Sequence, residues 1–169
     1  MTFLVPFDGT PLAESALVRA MEFAAALEED VTVASVVPAG NERFARERVG
    51  LGPADDRSPE AVAAALHDRV AELAPAAEFV YDVVDRYAPT GTVANRLRRR
   101  ARRVDASMVF VGSDDAGRVV SALSSVGRSM MAGEGYDVTI VRRERPDVVS
   151  AVAAATEREK ERLTVYEDV

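Results

Sequence analysis

The sequence has no cysteine and a single histidine, His67. The missing cysteine excludes disulfides, thiolate metal ligands and cysteine nucleophiles. The single histidine excludes histidine-rich zinc sites and makes any serine–histidine–aspartate triad depend on His67. His67 stands beside the apolar positions of a predicted helix, outside any polar cluster. We therefore expect neither a catalytic residue nor a metal site.

Long hydrophobic runs are also missing, since no stretch approaches the roughly 18 apolar residues of a membrane-spanning helix. No positively charged leader precedes Phe3, which argues against a secretory signal. The 169 residues are 48% apolar and 29% charged, the composition of a globular domain that buries a sizeable core. We expect a cytoplasmic protein without membrane insertion.

Lysine is nearly absent, because Lys160 is the one lysine among 21 basic residues, and the net charge is −7. Two explanations for the arginine use and the acidic surplus stay open. A GC-rich genome produces this composition by itself, or the carboxylates adapt the surface to high salt, which screens their repulsion. In either case an acidic surface disfavours nonspecific nucleic-acid binding, so we expect no nucleic-acid partner.

One strongly basic stretch departs from this acidic character, with six arginines among the eight residues 96–103. At helical spacing these arginines surround a helix instead of lining one stripe, and no aromatic residue alternates with them. A solvated helix face that pairs with acidic neighbours therefore explains them better than a nucleic-acid interface does.

Short apolar segments with β-forming residues alternate with helical patterns along the chain. The predicted strands cover residues 2–7, 31–37 (ended by Pro38), 77–84, 108–111 and 136–141. The predicted helices cover residues 11–27, 59–73, about 91–104 and about 118–131. Strands separated by crossover helices indicate a parallel five-stranded sheet with helices on both faces, a three-layer α/β/α fold.

Two segments stand outside this alternation. Residues 39–57 form the longest connection, in which Asn41 caps a short helix that Gly50 ends, and both a mobile flap and variable padding remain open for it. A boundary at residues 142–146 separates a domain over residues 1–143 from a tail over residues 144–169. The charged composition of this tail predicts a helical or partly disordered extension.

The predicted fourth strand runs directly into a glycine turn at Gly112 and then into a helix. In α/β proteins this is where anionic ligands bind, because the free N–H groups and the dipole of the helix point at the turn. Asp114 and Asp115 follow Gly112 after one intervening residue, Ser113, at the position that a phosphate would occupy.

Two motifs resemble those of the universal stress protein family. Residues 5–10 read VPFDGT and residues 105–113 read DASMVFVGS, similar to the family's opening and to its fourth strand and turn. Residues 31–38 and 138–143 are similar to its second and last strands, so the resemblance covers about residues 2–143. It implies a Rossmann-like (adenine nucleotide alpha hydrolase-like) sheet in the order 3-2-1-4-5 and a homodimer joined through the fifth strands.

The resemblance also implies a nucleotide site, although its phosphate motif is degenerate. The family's ATP signature is a glycine, two residues, a glycine, nine residues, a glycine and a hydroxyl residue. Its first glycine falls on Gly112, its second on Asp115 or, displaced, on Gly117. With one residue deleted, the third falls on Ser124 and the hydroxyl on Ser125. The family's base, ribose and phosphate contacts carry over to Pro6, Asp8, Val36, Val111, Gly112, Gly117, Ser124, Ser125 and Val126.

Asp115 in place of a glycine weakens phosphate binding. A carboxylate about 5 Å from a phosphate charge costs about 3 kcal/mol at an effective dielectric constant of 20, roughly a hundredfold in affinity.

The leading hypothesis is therefore a dimeric, non-enzymatic regulatory protein of the stress response, with an unidentified protein partner and weak or lost ATP binding. The alternative is an ATP-binding member that uses Asp8 and the region from Gly112 to Ser125, assisted by Mg²⁺ between the carboxylates and the phosphates. A hydrolase that uses His67 with a nearby serine is disfavoured, because no acid is placed to orient the histidine.

Overall fold

A computed structural model describes residues 1–89, 91–112, 130 and 135–144, and within them all five strands form one parallel sheet in the order β3-β2-β1-β4-β5. The strands are β1 (Thr2–Pro6), β2 (Asp30–Ala39), β3 (Glu78–Asp85), β4 (Ala106–Gly112) and β5 (Asp137–Val141). This strand order confirms the fold predicted from the sequence. β2 and β3 lie on one side of β1, whereas β4 and β5 lie on its other side. The carboxyl ends of β1 and β4 therefore form the switch point of the sheet.

Helices cover both faces of this sheet. They are α1 (Pro11–Leu27), α2 (Glu42–Val49), α3 (Pro59–Leu73) and α4 (Thr92–Arg103). Residues of α1, α2 and α3 share one hydrophobic cluster, whereas α4 and the buried Met130 belong to a second cluster. Alternate residues of β1 serve the two clusters, since Phe3 and Val5 pack into the first and Leu4 into the second. Burial on both faces explains why β1 reads as a continuous apolar run.

The start of α1 is fixed by a capping residue and a proline. The Oγ1 atom of Thr10 accepts a hydrogen bond from the N–H of Ala13 at 3.2 Å, and Pro11 occupies the first turn, where its missing N–H costs nothing. The helix ends at Leu27, as predicted. The helix therefore begins directly after the turn that follows β1.

The prediction that Pro38 ends the second strand is wrong. β2 continues to Ala39, and Pro38 pairs with Val84 of β3. The pairing of β2 with β1 already stops at Ala34, so β2 borders β3 alone from there onward. A proline is tolerated at such a position because the strand has an open side.

The segment 39–57 contributes a packed helix to the core. Asn41 accepts a hydrogen bond from the N–H of Phe44 at 2.9 Å, and Gly50 ends α2 in the left-handed region with φ of 72°, both as predicted. Ala45 is buried, and Phe44 packs against the cluster under α1 and α3. The segment is therefore not idle padding, because it places an aromatic side chain beside the carboxyl end of the sheet.

The predicted pairing of the arginine-rich helix with acidic neighbours is confirmed for Arg100. Its Nε and Nη2 atoms donate to the two carboxylate oxygens of Asp82 on β3 at 2.8 and 2.9 Å. This hydrogen-bonded pair lowers the pKa of Asp82 and raises the pKa of Arg100. The contact joins α4 to the edge strand of the sheet.

The described residues contain no helix long and apolar enough to cross a membrane. Of the helix predicted over residues 118–131, Met130 is described, and it is helical and buried. The rest of that helix, its preceding turn and the tail from residue 145 onward lie outside the described residues.

Gly112 ends β4 at a very close approach to the first turn of α1. A Cβ atom at this position would overlap the carbonyl group of Leu12 and the backbone nitrogen of Ala13. Backbone atoms cannot rotate away as a flexible side chain would, so glycine is required here by packing alone. The contact holds the carboxyl end of β4 against the amino end of α1.

We expect Gly112→Ala to lower the free energy of unfolding by about 3 kcal/mol, the upper end of the range for overpacked sites. Gly52→Ala is the matched control, because neither Gly112 nor Gly52 lies in the left-handed region and a Cβ on Gly52 makes one ordinary contact, 3.4 Å from Oδ2 of Asp55. It should change the free energy of unfolding by less than about 1 kcal/mol. Urea unfolding of both variants measures the difference, and equal losses would contradict the packing explanation.

Candidate functional site

A cavity of about 340 Å³ lies at the carboxyl ends of β1, β2 and β4, at the switch point of the sheet. Its lining residues come from these strands, from the β1 turn and from α1, α2 and α4. They are Pro6, Phe7, Asp8, Ala13, Ala34, Val36, Pro38, Phe44, Val93, Leu97, Val111 and Gly112.

The structure brings together those predicted site residues that it describes. Pro6, Asp8, Val36, Val111 and Gly112 all line this cavity, although they come from three different strands or the turn after β1. Four predicted site residues lie outside the described part of the chain, namely Gly117, Ser124, Ser125 and Val126. Asp114 and Asp115 lie outside it as well.

Asp8 is held at the cavity by the turn that starts α1. Its Oδ1 atom accepts hydrogen bonds from the backbone N–H and the hydroxyl of Thr10, at 3.1 and 2.6 Å. Its Oδ2 atom lies 4.0 Å from Nη2 of Arg48, and 48% of the side chain is exposed. One carboxylate oxygen therefore fixes the side chain, while the other remains available to accept a hydrogen bond from a ligand hydroxyl.

The floor of the cavity is fixed by hydrogen bonds just beyond the β1–β2 pairing. The N–H of Phe7 donates to the carbonyl of Ala34 at 2.9 Å, and the hydroxyl of Ser35 donates to the carbonyl of Phe7 at 2.6 Å. Ser35 is buried, so this bond is shielded from water. The backbone on which Pro6 and Asp8 stand is consequently rigid.

The apolar walls include residues that sequence reasoning missed as site residues. Phe44 comes from α2, whereas Val93 and Leu97 come from the first turns of α4. Val93 and Leu97 lie on the apolar side of α4, and helical periodicity cannot show which apolar positions lie above the end of a sheet. For Phe44 the one available signal was the length of the connection 39–57, which does not single out a residue.

The described lining is apolar apart from one ionisable side chain, Asp8. It includes no arginine, lysine or histidine to pair with a phosphate. Such a surface suits a flat, mostly apolar ring that carries hydroxyl donors. Any groups that bind phosphate must therefore come from outside the described lining residues.

His67 is not among the residues that line this cavity. Its side chain is 57% exposed on α3, with Nδ1 3.6 Å from a carboxylate oxygen of Asp68. The imidazole ring also packs edge-on against Phe79 at a centroid distance of 5.4 Å. His67 is therefore an exposed residue that packs beside Phe79, and the expectation that it has no catalytic role stays a prediction.

The two bonds from Thr10 predict how Asp8 responds to substitution. We expect Asp8→Ala to lower the free energy of unfolding by about 1–2 kcal/mol, because the start of α1 loses both bonds. Asp8→Asn keeps an oxygen acceptor and should stay within about 0.5 kcal/mol of the unsubstituted protein. Thermal or urea unfolding checks both values, and an equally large loss for Asp8→Asn would show that the negative charge itself stabilises the turn.

Comparisons with known proteins agree with this architecture. A universal stress protein in complex with cAMP is 22% identical to the chain, with a TM-score of 0.54, and the match covers 86% of this chain and 98% of that one. The universal stress protein UspA from Lactobacillus plantarum is 18% identical, with a TM-score of 0.57 and coverage of 84% and 97%. A universal stress protein from Archaeoglobus fulgidus DSM 4304 is also 18% identical, with a TM-score of 0.58 and coverage of 85% and 44%. No curated protein matches the sequence.

The family comparison is more decisive than these distant structural matches, which show the fold alone. The model of the universal stress protein family matches residues 1–142, which is most of the chain. Both motifs that resembled the family lie within the matched range. The chain therefore belongs to the universal stress protein family.

Proposed function

We propose that this protein is a non-enzymatic, cytoplasmic regulator of the stress response whose cavity binds the adenosine part of a nucleotide and binds ATP weakly or not at all. The observation that carries the proposal is the division of the site into two halves. The described half, at β1, β2 and β4, has the shape and polarity for a base and a ribose. The phosphate half carries substitutions in its sequence motif.

The adenosine half of the proposed site is supported by the placement of Asp8, Val36 and Phe44. The Oδ2 atom of Asp8 lies 4.0 Å from Nη2 of Arg48, and it can also accept hydrogen bonds from ribose hydroxyls in the cavity. Val36 and Phe44 supply apolar surface for a planar base. A cavity of about 340 Å³ is also within the range of small-molecule sites, which starts at roughly 300 Å³.

The phosphate half of the proposed site rests on sequence. Asp115 stands where the family's second glycine belongs, and Ser124 stands where the third belongs. The described lining adds a further negative charge, Asp8, and no positive one. Arg48, whose Nη2 lies 4.0 Å from Asp8 Oδ2, is the described cation beside Asp8, and it is not among the lining residues. Each further phosphate therefore adds repulsion from the carboxylates.

A ligand with a single phosphate reduces this repulsion. One solved universal stress protein is described as a complex with cAMP, which carries one phosphate. That observation belongs to the other protein, and at 22% identity it motivates the choice of test ligands here. The alternative, an ATP-binding protein in which Mg²⁺ bridges Asp114, Asp115 and the phosphates, makes a different prediction about metal dependence.

Homodimer formation through β5 is the second part of the proposal. β5 is an edge of the sheet, and a cavity of about 550 Å³ runs between it and α1, lined by Arg19, Phe23 and residues 139–143. Phe23 is 41% exposed beside this edge. A second β5 paired along the edge would cover its unpaired backbone groups and this aromatic side chain.

We expect isothermal titration to show that AMP or cAMP binds more tightly than ATP, with or without Mg²⁺. Phe44→Ala should weaken adenine ligands by about tenfold, because it removes an aromatic wall of the cavity. Phe79→Ala is the matched control, since this aromatic residue lies outside the cavity. A micromolar Kd for ATP would contradict the weakened phosphate half, and ATP binding that appears only with Mg²⁺ would favour the alternative.

Asp115→Gly tests the phosphate half separately. We expect this substitution to raise ATP affinity by up to about a hundredfold and to change AMP affinity less, because it removes a carboxylate beside the phosphates. An unchanged ATP affinity would show that Asp115 is not the obstacle.

The dimer proposal predicts a mass twice that of the chain in sedimentation equilibrium. Phe23→Glu should shift the protein toward monomer, because it places a charge at the edge beside β5. Tyr87→Glu introduces the same charge at a side chain that is 81% exposed after β3, and should leave the mass unchanged. A monomeric unsubstituted protein would overturn this part of the proposal.

A further inference from the structure

The edge of the sheet opposite β5 is formed by β3, and no described strand pairs with its outer side. β3 spans eight residues and keeps an unbroken parallel register with β2 along its whole length. It contains no proline, glycine or lysine, and among its three acidic side chains the carboxylate of Asp82 is paired with Arg100. The regular backbone of β3 is therefore suited to accept another strand.

The α3 side of β3 presents apolar surface next to this edge. Tyr81 is 39% exposed and Val83 is 40% exposed. The ring of Tyr81 stacks on that of Phe79 at a centroid distance of 6.4 Å. An added strand would cover these side chains with its own apolar residues on the same face.

The opposite side of β3 presents positive charge. The carboxylate of Asp82 is already neutralised by Arg100, which also donates from Nη2 to the carbonyl of Tyr81 at 3.2 Å. Arg96 and Arg103 of α4 lie on the same flank as this pair and form no ion pair with any described residue. α4 itself contains no acidic residue. Carboxylates placed along the α4 side of the edge would therefore meet unpaired guanidinium groups.

We propose that the outer edge of β3, which pairs with no described strand, is a docking site for an extended segment of a partner protein. The segment adds a sixth strand, with apolar side chains over Tyr81 and Val83 alternating with acidic side chains that face Arg96 and Arg103. The alternation follows from strand geometry, since successive side chains of the added strand point to opposite faces. Backbone hydrogen bonds to the β3 edge supply affinity, and the two faces supply specificity.

A second copy of this chain fits the same edge less well. Two β3 strands paired about a twofold axis perpendicular to the sheet would bring two arginine-rich α4 helices side by side on one face. Like charges in that arrangement repel each other. A nucleic acid also fits less well, because it offers no strand to pair with the β3 backbone.

The test uses the full chain and a fluorescein-labelled peptide of eight residues that alternates glutamate and valine. Fluorescence anisotropy at about 0.15 M salt measures binding, with a lysine–valine peptide and a single-stranded oligonucleotide as comparison ligands. We expect the acidic peptide to bind, the basic peptide to bind at least about tenfold more weakly, and the oligonucleotide to bind more weakly than the acidic peptide. Tighter binding of the oligonucleotide, or no binding of the acidic peptide at millimolar concentration, would overturn the proposal.

Charge-reversed variants locate the site on α4. The double variant Arg96→Glu/Arg103→Glu should weaken the acidic peptide by about fivefold or more, from two lost surface ion pairs and added repulsion. The double variant Arg98→Glu/Arg102→Glu changes the net charge equally on the other flank of α4, near Tyr136, and should have a clearly smaller effect. Equal effects of the two variants would indicate general charge attraction and would overturn docking at β3.

Amide hydrogen exchange distinguishes strand addition from a purely electrostatic contact. Bound peptide should slow exchange within residues 78–85 and leave β1 and β4 unchanged. Val83→Glu, at an exposed position, should weaken the peptide because it places a charge on the apolar face. Unchanged exchange in β3 with peptide bound, or self-association of the chain that Val83→Glu abolishes, would assign the edge to a different occupant.

Discussion

The close approach of Gly112 to the first turn of α1 is the contact on which the rest of the site depends. It sets the carboxyl end of β4 directly against Leu12 and Ala13, so that β1, β4 and the start of α1 meet at one point. The cavity opens at this point because β1 and β4 are adjacent in the sheet while their connections run in opposite directions. Gly112 was identified through its resemblance to a phosphate-binding glycine, yet packing alone already requires a glycine there.

Asp8 combines a structural role with a role in the proposed site. One oxygen holds the turn that starts α1, and the other lies 4.0 Å from Nη2 of Arg48. This arrangement keeps the carboxylate in place even if the phosphate half of the site no longer binds. The turn itself therefore uses Asp8 and Thr10, independently of any ligand.

The two edges of the sheet differ in character. The edge at β5 lies beside a cavity lined by Phe23 and arginines, whereas the edge at β3 carries exposed Tyr81 and Val83 on one side and the α4 arginines on the other. Arg100 is the link between the sheet and α4, because it uses the carboxylate of Asp82 and the carbonyl of Tyr81 together. The arginine-rich stretch is thus neither wholly solvated nor wholly paired, since Arg100 is bound to β3 while Arg96 and Arg103 have no ion-pair partner among the described residues. The adaptation of the acidic surface to high salt stays a prediction.

Local chemistry determined the elements of this protein from sequence alone: Thr10 and Pro11 start α1, Asn41 and Gly50 bound α2, and apolar runs buried on both faces specify a parallel sheet. The resemblance of two motifs further predicted the strand order and the residues Pro6, Asp8 and Val36. Tertiary structure alone decided where β2 ends, because Pro38 is tolerated only where β1 no longer borders the strand. It alone also placed Phe44, Val93 and Leu97 around the cavity. The periodicity of a helix shows which of its sides is apolar. Which residues line the cavity depends instead on where that side lies relative to the ends of strands that are distant in sequence.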